Sequence, residues 1–492
     1  MSSMRLSLAA LALAAGAAAS LLGGCATNPV TGGTDMVTMS EAQEIELGRK
    51  MHPQILQKYG RYDDEELQQY VNAVGQRIAA QSHRPNLQYT FTVLDGDEVN
   101  AFALPGGYVY ITRGIMVYLN SEAELAAVIG HEIGHVTARH SVRQQAGATA
   151  AGVGAMVVGI LTGSGDLMNV AGMAGNALIS GYGRDMELEA DQLGAEYLNR
   201  IGYEPEAMID VVRLLKNQEM FELQMARQEN RPPRVYHGVF ASHPDNDTRL
   251  QEVVKAAGKV HNTDDRPPNR DQYLAQVDGL PVGDSRAQGV VRGARFYHAD
   301  LGVTLAFPSG WIVDNQPAKV LAYPASKDAM MEMSAQPIPP NMAPKEYLGR
   351  LLQGSATTAA EPIQVNGLSG YRATVRSTGL PWGTQGPAAV AVVYYNGLAY
   401  VFRGGTRQAA GFGSYEPVFL SSVKTFRRLR DNEFTAAEPD RIQVIRVGER
   451  TTIAQLAQKS PLQKYPAEKL RLLNDLYPDK EPVAGQKLKV VR

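Results

Sequence analysis

At 492 residues the chain is too long for one ordinary hydrophobic core, and two or three domains are expected. With 44% hydrophobic and 20% charged residues, the composition is that of a globular protein and excludes an intrinsically disordered one. A formal net charge of −2 removes any global electrostatic case for nucleic-acid binding, and the single cysteine removes a disulfide framework.

The chain begins with Arg5 and then a small, apolar run over 6–22 that ends in Leu22-Gly23-Gly24-Cys25. This is a bacterial signal-peptide pattern over 1–24. The small residues before Cys25 resemble a lipoprotein processing box. By that resemblance Cys25 becomes the lipid-bearing first residue of the mature chain, anchoring it to membrane. Ala26 after it resembles a signal for the outer membrane, facing the periplasm. The alternative is an ordinary signal peptide with a chance cysteine. Cysteine-protease chemistry is excluded, because the one cysteine belongs to the leader pattern.

Residues 25–39, with Asn28-Pro29 and Gly32-Gly33, read as a tether. Ser40 and Gln43 fit a capping box opening a helix over 40–59, and a second helix is expected over 64–81. Residues 87–94 alternate apolar and polar as a strand does. Residues 100–112 read as strand, Gly-Gly turn, strand, and Ser121 opens a helix expected to run through His140. The stretch 146–179 is rich in Gly, Ala, Val and Met, and 146–163 reaches about the minimum length that spans a membrane. It reads either as a membrane-leaning hairpin or as a buried helix pair over the active site. Frequent glycine and an anchor already supplied by the leader favour the buried pair. These elements make up a first domain over 40–260.

A polar, Pro-rich linker is expected over 261–290. A small α+β domain follows over 291–430, with strands over 303–313, 389–395 and 398–403 and helices over 343–354 and 415–429. It holds no catalytic constellation, so it serves substrate or partner binding, or packing alone. Residues 438–492 have β-α-α-β order, with a second helix over 470–474, Asn474 and a Gly485-Gln486 pair. The segment resembles a LysM-like module, which implies glycan, often peptidoglycan, as ligand. A terminal helical hairpin without a ligand is the alternative.

The chemistry centres on His131-Glu132-Ile133-Gly134-His135. Histidines at i and i+4 lie on one helix face and can grip one tetrahedral metal ion together. A carboxylate at Glu132 is placed to take a proton from an attacking water and pass it to a leaving amine. The apolar Ala126-Ala127-Val128-Ile129-Gly130 before the motif keeps the opposite face buried. Two core histidines that merely hydrogen-bond are the bland alternative.

A catalytic zinc site needs a third protein ligand. In the segment 184–191, Glu187 and Asp191 share a helical face while Glu189 points away. Glu187 is assigned to zinc. Asp191, one turn on, is placed to hydrogen-bond the outer nitrogen of a ligand histidine and fix its tautomer. Arg184 steadies Glu187 or contacts substrate. His140, five residues past His135, is expected off the metal face and outside the site.

The HEIGH motif followed by Glu187-x-x-x-Asp191 within MELEADQLGA resembles the zinc metallopeptidases related to the CAAX prenyl endopeptidase and HtpX. The lipoprotein box and the Asn28-Pro29-Val30-Thr31-Gly32 start are more similar to soluble periplasmic members. The resemblance covers about residues 40–255. It implies one Zn2+ per chain, with His131, His135 and Glu187 as ligands and Glu132 as catalytic base. It also implies that Asn100, Ala101, Phe102 and Ala103 form an edge strand beside the metal, to which an extended polypeptide adds by main-chain hydrogen bonds. His243, in Ser242-His243-Pro244-Asp245, becomes a fourth ligand plugging the resting site or a donor to the tetrahedral oxyanion. A helix-capping loop with a solvent-facing histidine is the alternative. After residue 260 no helical repeats of the tetratricopeptide kind follow, so partners that relatives recruit through such repeats are not carried over.

The expected fold is therefore multidomain: a mainly α-helical zincin-type protease domain with a small sheet, a small α+β domain and a C-terminal LysM-like βααβ module. The expected function is zinc-dependent endoproteolysis of cell-envelope proteins in the bacterial periplasm, in protein quality control or outer-membrane assembly. Polypeptide substrate, membrane through the lipid on Cys25, and peptidoglycan are the expected partners, with no nucleic acid. A zinc-stabilised periplasmic chaperone and a peptidoglycan-binding scaffold are the competing readings.

Overall fold

The computed structural model describes residues 25–37, 39–149, 182–231, 233, 269–353, 355–380 and 385–492. The leader over 1–24, the part of the apolar stretch from 150 on and His243 lie outside the described residues. The chain divides into two compact units, one of Met1–Leu56, Arg61–Leu280 and Ile442–Arg492, the other of Gln57–Gly60 and Pro281–Arg441.

In the first unit the segment expected to be a tether forms a hairpin, β1 (Cys25–Thr27) against β2 (Thr34–Met36). Asn28 closes its turn, with Oδ1 accepting from the backbone N–H of Val30 at 2.8 Å and Thr31 at 3.0 Å. Helix α1 (Glu41–Tyr59) starts at the expected box, where the Ser40 N–H donates to Gln43 Oε1 at 2.8 Å. Helix α2 (Glu65–Ala79) is capped by Asp64, which accepts from the Leu67 N–H. A three-stranded sheet has the order β3 (Thr90–Leu94), β5 (Tyr108–Thr112), β4 (Ala101–Leu104). Strand β3 begins three residues later than its alternation suggests. The tight β4–β5 turn needs Gly106 and Gly107 at φ of 81° and 90°, a region that favours glycine.

A short turn of helix α3 (Arg113–Met116) precedes helix α4 (Glu122–Thr137), whose N-cap Ser121 accepts from the Glu124 N–H at 3.1 Å. Helix α4 carries the HEIGH motif. It stops at Thr137 and does not continue through His140, because Arg139 is left-handed with φ of 55°. Helix α5 (His140–Thr149) restarts the chain in a new direction. Helices α6 (Arg184–Arg200) and α7 (Glu206–Gln228) follow, then α8 (Arg270–Val277). Helices α4 and α6 approach through small residues. A Cβ on Gly134 would sit 3.0 Å from the Ala190 carbonyl oxygen, and one on Gly194 would sit 3.0 Å from the His131 nitrogen. That approach brings residues 187–191 to the HEIGH helix.

The second unit is richer in strands than its sequence suggests. A seven-stranded antiparallel sheet has the order β12-β13-β14-β15-β11-β10-β9, built from Thr357–Val365, Leu368–Gly379, Gln385–Tyr395, Leu398–Thr406, Ala329–Pro337, Lys319–Tyr323 and Ile312–Gln316. A four-stranded sheet has the order β16-β8-β7-β6, built from Arg427–Arg428, Val303–Ala306, Arg295–His298 and Val290–Arg292. The single strand expected over 303–313 is two strands, β8 and β9, broken where Pro308 and a left-handed Gly310 interrupt pairing. Helix α9 (Pro344–Leu351) is shorter than expected. Helix α10 (Phe412–Val423) ends six residues before the expected 429, because Arg427 and Arg428 pair with β8.

The last segment closes the first unit. It runs β17 (Ile442–Arg446), α11 (Ile453–Ala457), α12 (Pro466–Leu473), β18 (Lys487–Val491), with β17 and β18 antiparallel. Its second helix starts at Pro466, earlier than the expected 470. Asn474 ties helix to strand, donating to the carbonyls of Leu470 and Lys489 and accepting from the Lys489 N–H. Lys489 is fully buried, and its ammonium donates to the carbonyls of Val117 at 2.7 Å and Leu119 at 2.6 Å, just before the α4 cap. Phe221 of α7 packs with Leu472 and Tyr477.

Candidate metal centre

One face of α4 and the start of α6 build the site. His131, His135 and Glu187 are all buried, Glu187 completely. The two Nε2 atoms lie 3.0 Å apart. Glu187 offers Oε2 at 3.6 Å from His131 Nε2 and Oε1 at 3.6 Å from His135 Nε2. Metal bonds of about 2.1 Å at tetrahedral angles place ligand atoms about 3.4 Å apart, so this spacing suits one zinc ion. The chemistry of the donor set also fits, since two imidazoles and a carboxylate are a ligand set of catalytic zinc sites, which keep a fourth position open. Among the described residues these three are the only group of histidine, cysteine, aspartate or glutamate side chains that could hold a metal ion.

The outer nitrogen of each imidazole is also engaged. His131 Nδ1 lies 2.8 Å from Asp191 Oδ1, the contact expected one turn past Glu187. His135 Nδ1 lies 2.7 Å from His140 Nδ1, and the Tyr182 ring stacks on His135 at 4.1 Å between centroids and 19° between planes. Glu132 is buried next to His131 on the same helix. The end of α4 is braced from outside, where Glu44 pairs with Arg84 and Arg139 at 3.2 Å each and Arg84 donates to the Val136 carbonyl at 2.9 Å. Strand β4 lies at the sheet edge, with Asn100 just before it, and Asn100, Ala101, Phe102 and Ala103 are all buried. Ala103, Leu104 and Pro105 line a recess together with His135 and Tyr182, so the end of β4 sits beside His135.

Residues 65–257 match the profile of Peptidase family M48. Over these residues the chain is similar to that family. The chain is 30% identical over 273 residues to the beta-barrel assembly-enhancing protease of Escherichia coli (strain K12), covering 53% of this chain and 53% of that protein. It is 34% identical over 143 residues to the mitochondrial metalloendopeptidase OMA1 of Arabidopsis thaliana, covering 29% of each. The chain thus spans about half the length, or less, of these curated relatives. Cyanobacterial PsbP from Synechocystis sp. PCC 6803 aligns over 28% of this chain and 95% of its own, at 14% identity and a TM-score of 0.23, too low to carry an argument.

The structure corrects one sequence expectation. His140 is not remote from the site: it is fully buried and touches His135 directly. The left-handed Arg139 turns the chain after α4, so helical counting past residue 137 misplaces His140. Glu189, expected to point away from the metal face, contacts His140 and Arg143. Its Oε2 lies 3.1 Å from His140 Nε2 and 2.8 Å from Arg143 Nη1. The hydrogen bond from His140 holds the Glu189 carboxyl down at about 2, and burial pushes His140 below the ordinary histidine value. Arg184 is exposed at the start of α6.

Proposed function

We propose that this protein is a zinc-dependent endopeptidase that hydrolyses cell-envelope polypeptides, with His131, His135 and Glu187 as ligands and Glu132 as general base. The observation that carries the reading is the convergence of two imidazole Nε2 atoms and one buried carboxylate at 3.0–3.6 Å. Bound there, zinc supplies Lewis acidity toward a peptide carbonyl and a water. Glu132 takes the proton of the attacking water and returns it to the leaving amine, which a buried carboxylate beside the histidines is placed to do. Asp191 holds His131 with its Nε2 lone pair inward. The edge of β4 from Asn100 to Ala103 aligns an extended substrate by main-chain pairing. His243 keeps its two expected roles, a plug of the resting site or an oxyanion donor.

The likeness to the beta-barrel assembly-enhancing protease and the lipoprotein leader pattern support a periplasmic, lipid-anchored protein acting in quality control or outer-membrane assembly. The β-α-α-β order of residues 442–492 supports a LysM-like reading, with peptidoglycan as ligand. Among the described residues no helix is long and apolar enough to cross a membrane.

The test is zinc content paired with casein cleavage for the full chain, Glu132→Gln and His243→Ala. Stoichiometric zinc in all three, with cleavage lost only in Glu132→Gln, supports the protease, and faster cleavage by His243→Ala assigns the plug. Zinc in all three with no cleavage by any shifts the reading to a zinc-stabilised chaperone. Co-sedimentation of the full chain with insoluble peptidoglycan tests the glycan reading, and a chain that stays in the supernatant removes it.

A further inference from the structure

The two histidines of the pair are held in different ways. His131 meets a carboxylate directly, whereas His135 meets a second imidazole that in turn meets a carboxylate. The full series runs from His135 Nδ1 to His140 Nδ1 at 2.7 Å, from His140 Nε2 to Glu189 Oε2 at 3.1 Å, and from Glu189 Oε2 to Arg143 Nη1 at 2.8 Å. Arg143 Nη1 also donates to the Ala138 carbonyl at 3.3 Å, so the series ends on the backbone just past the HEIGH helix.

Hydrogen-bond chemistry allows one proton arrangement that leaves the His135 Nε2 lone pair available to a metal. Two Nδ1 atoms at 2.7 Å need one donor and one acceptor. If His135 Nδ1–H donates, His140 Nδ1 accepts, and the remaining His140 proton sits on Nε2 and donates to the ionised Glu189. In the reverse arrangement His140 Nδ1 carries the proton. A neutral His140 then faces the Glu189 carboxylate with a lone pair, and a neutral His135 carries its proton on Nε2, where the metal would bind. The ionised Glu189, paired with Arg143, favours the first arrangement.

We propose that His140, backed by Glu189 and Arg143, is a positioning relay that fixes the metal-binding tautomer and ring orientation of His135. This rests on the zinc-site reading above. It makes the site depend on two outer supports: Asp191 for His131, and the His140–Glu189–Arg143 series for His135. Tyr182, stacked on the His135 ring, restrains the same imidazole from its face.

The test is zinc affinity of the full chain, by competition with a chromogenic chelator, for wild type, His140→Leu, His140→Asn and Glu189→Gln. Loss of such outer partners typically lowers metal affinity 10–100-fold. His140→Leu, which keeps bulk but no acceptor, is expected to fall in that range. His140→Asn, which returns an oxygen acceptor toward His135, is expected to recover much of it. Glu189→Gln should fall several-fold. The visible d–d bands of the cobalt-substituted protein should shift in His140→Leu and return toward wild type in His140→Asn, which a purely structural role would not produce. If His140→Leu fails to fold, His140→Asn and Glu189→Gln carry the decision. Wild-type affinity in every folded variant overturns the relay. No zinc binding by wild type overturns the metal-site reading itself, a separate outcome.

Discussion

The two compact units bury different chemistry. The first buries Glu44, Arg84, Asp95, Arg113, Glu122, Glu132, Glu187, Asp191 and Lys489, besides its three site histidines. Among the described residues, the second buries no carboxylate, arginine or lysine, and its core is built from Phe296, Leu305, Phe402, Phe419 and Phe426. Taking a charge out of water costs several kcal/mol per ion even after relaxation, and an apolar replacement is often as stable. Packing alone therefore gives no reason to keep so many ions inside one unit. Some of them brace the frame, as in the buried Arg113–Asp95 pair at 2.9 Å. Others, Glu187 and Asp191, meet the two histidines of α4, where Glu132 is buried beside them. The second unit shows that this chain can build a core without such groups, which locates the proposed chemistry in the first.

The contrast can be broken or sharpened by substitution. The largest effect is expected for Glu187→Ala, which removes one of the three proposed ligands: stoichiometric zinc and all proteolysis should be lost together, read by metal analysis and casein cleavage. Glu132→Gln should keep zinc and lose about 10²- to 10⁴-fold in kcat, the usual worth of a general base. In the second unit Phe402→Ala should cost about 3–5 kcal/mol of stability by urea unfolding, with zinc affinity unchanged. Lys489→Ala leaves the Val117 and Leu119 carbonyls without their donor. It should destabilise the first unit by about 3 kcal/mol, the order of cost of leaving two buried carbonyls unsatisfied. The smallest effect is expected at the exposed Arg49–Glu46 pair, where Arg49→Ala should leave the urea midpoint of unfolding essentially unchanged. Zinc loss in Phe402→Ala, or none in Glu187→Ala, would erase the distinction between the units.

What the sequence conveys follows the same division. The HEIGH spacing places two imidazoles on one helix face whatever surrounds it, and Glu187 and Asp191 repeat that four-residue spacing one helix later. Local periodicity is sufficient there. It fails at His140, where one left-handed residue, Arg139, changes the direction of the chain. It fails again at Lys489, which stands in an alternating strand where a lysine reads as solvent-facing, although the partners of its ammonium lie about 370 positions earlier. The wide sheet of the second unit is illegible in the sequence for another reason. Strand β12 is exposed along nearly all its length, so it lacks the alternation that marks a half-buried strand.

The most direct test of the zinc site is anomalous diffraction from crystals of the native protein, collected on both sides of the zinc absorption edge. One strong anomalous peak is expected within bonding distance of His131 Nε2, His135 Nε2 and a Glu187 oxygen. A zinc peak elsewhere, or none at these residues in protein that cleaves casein, would contradict the zinc-site reading.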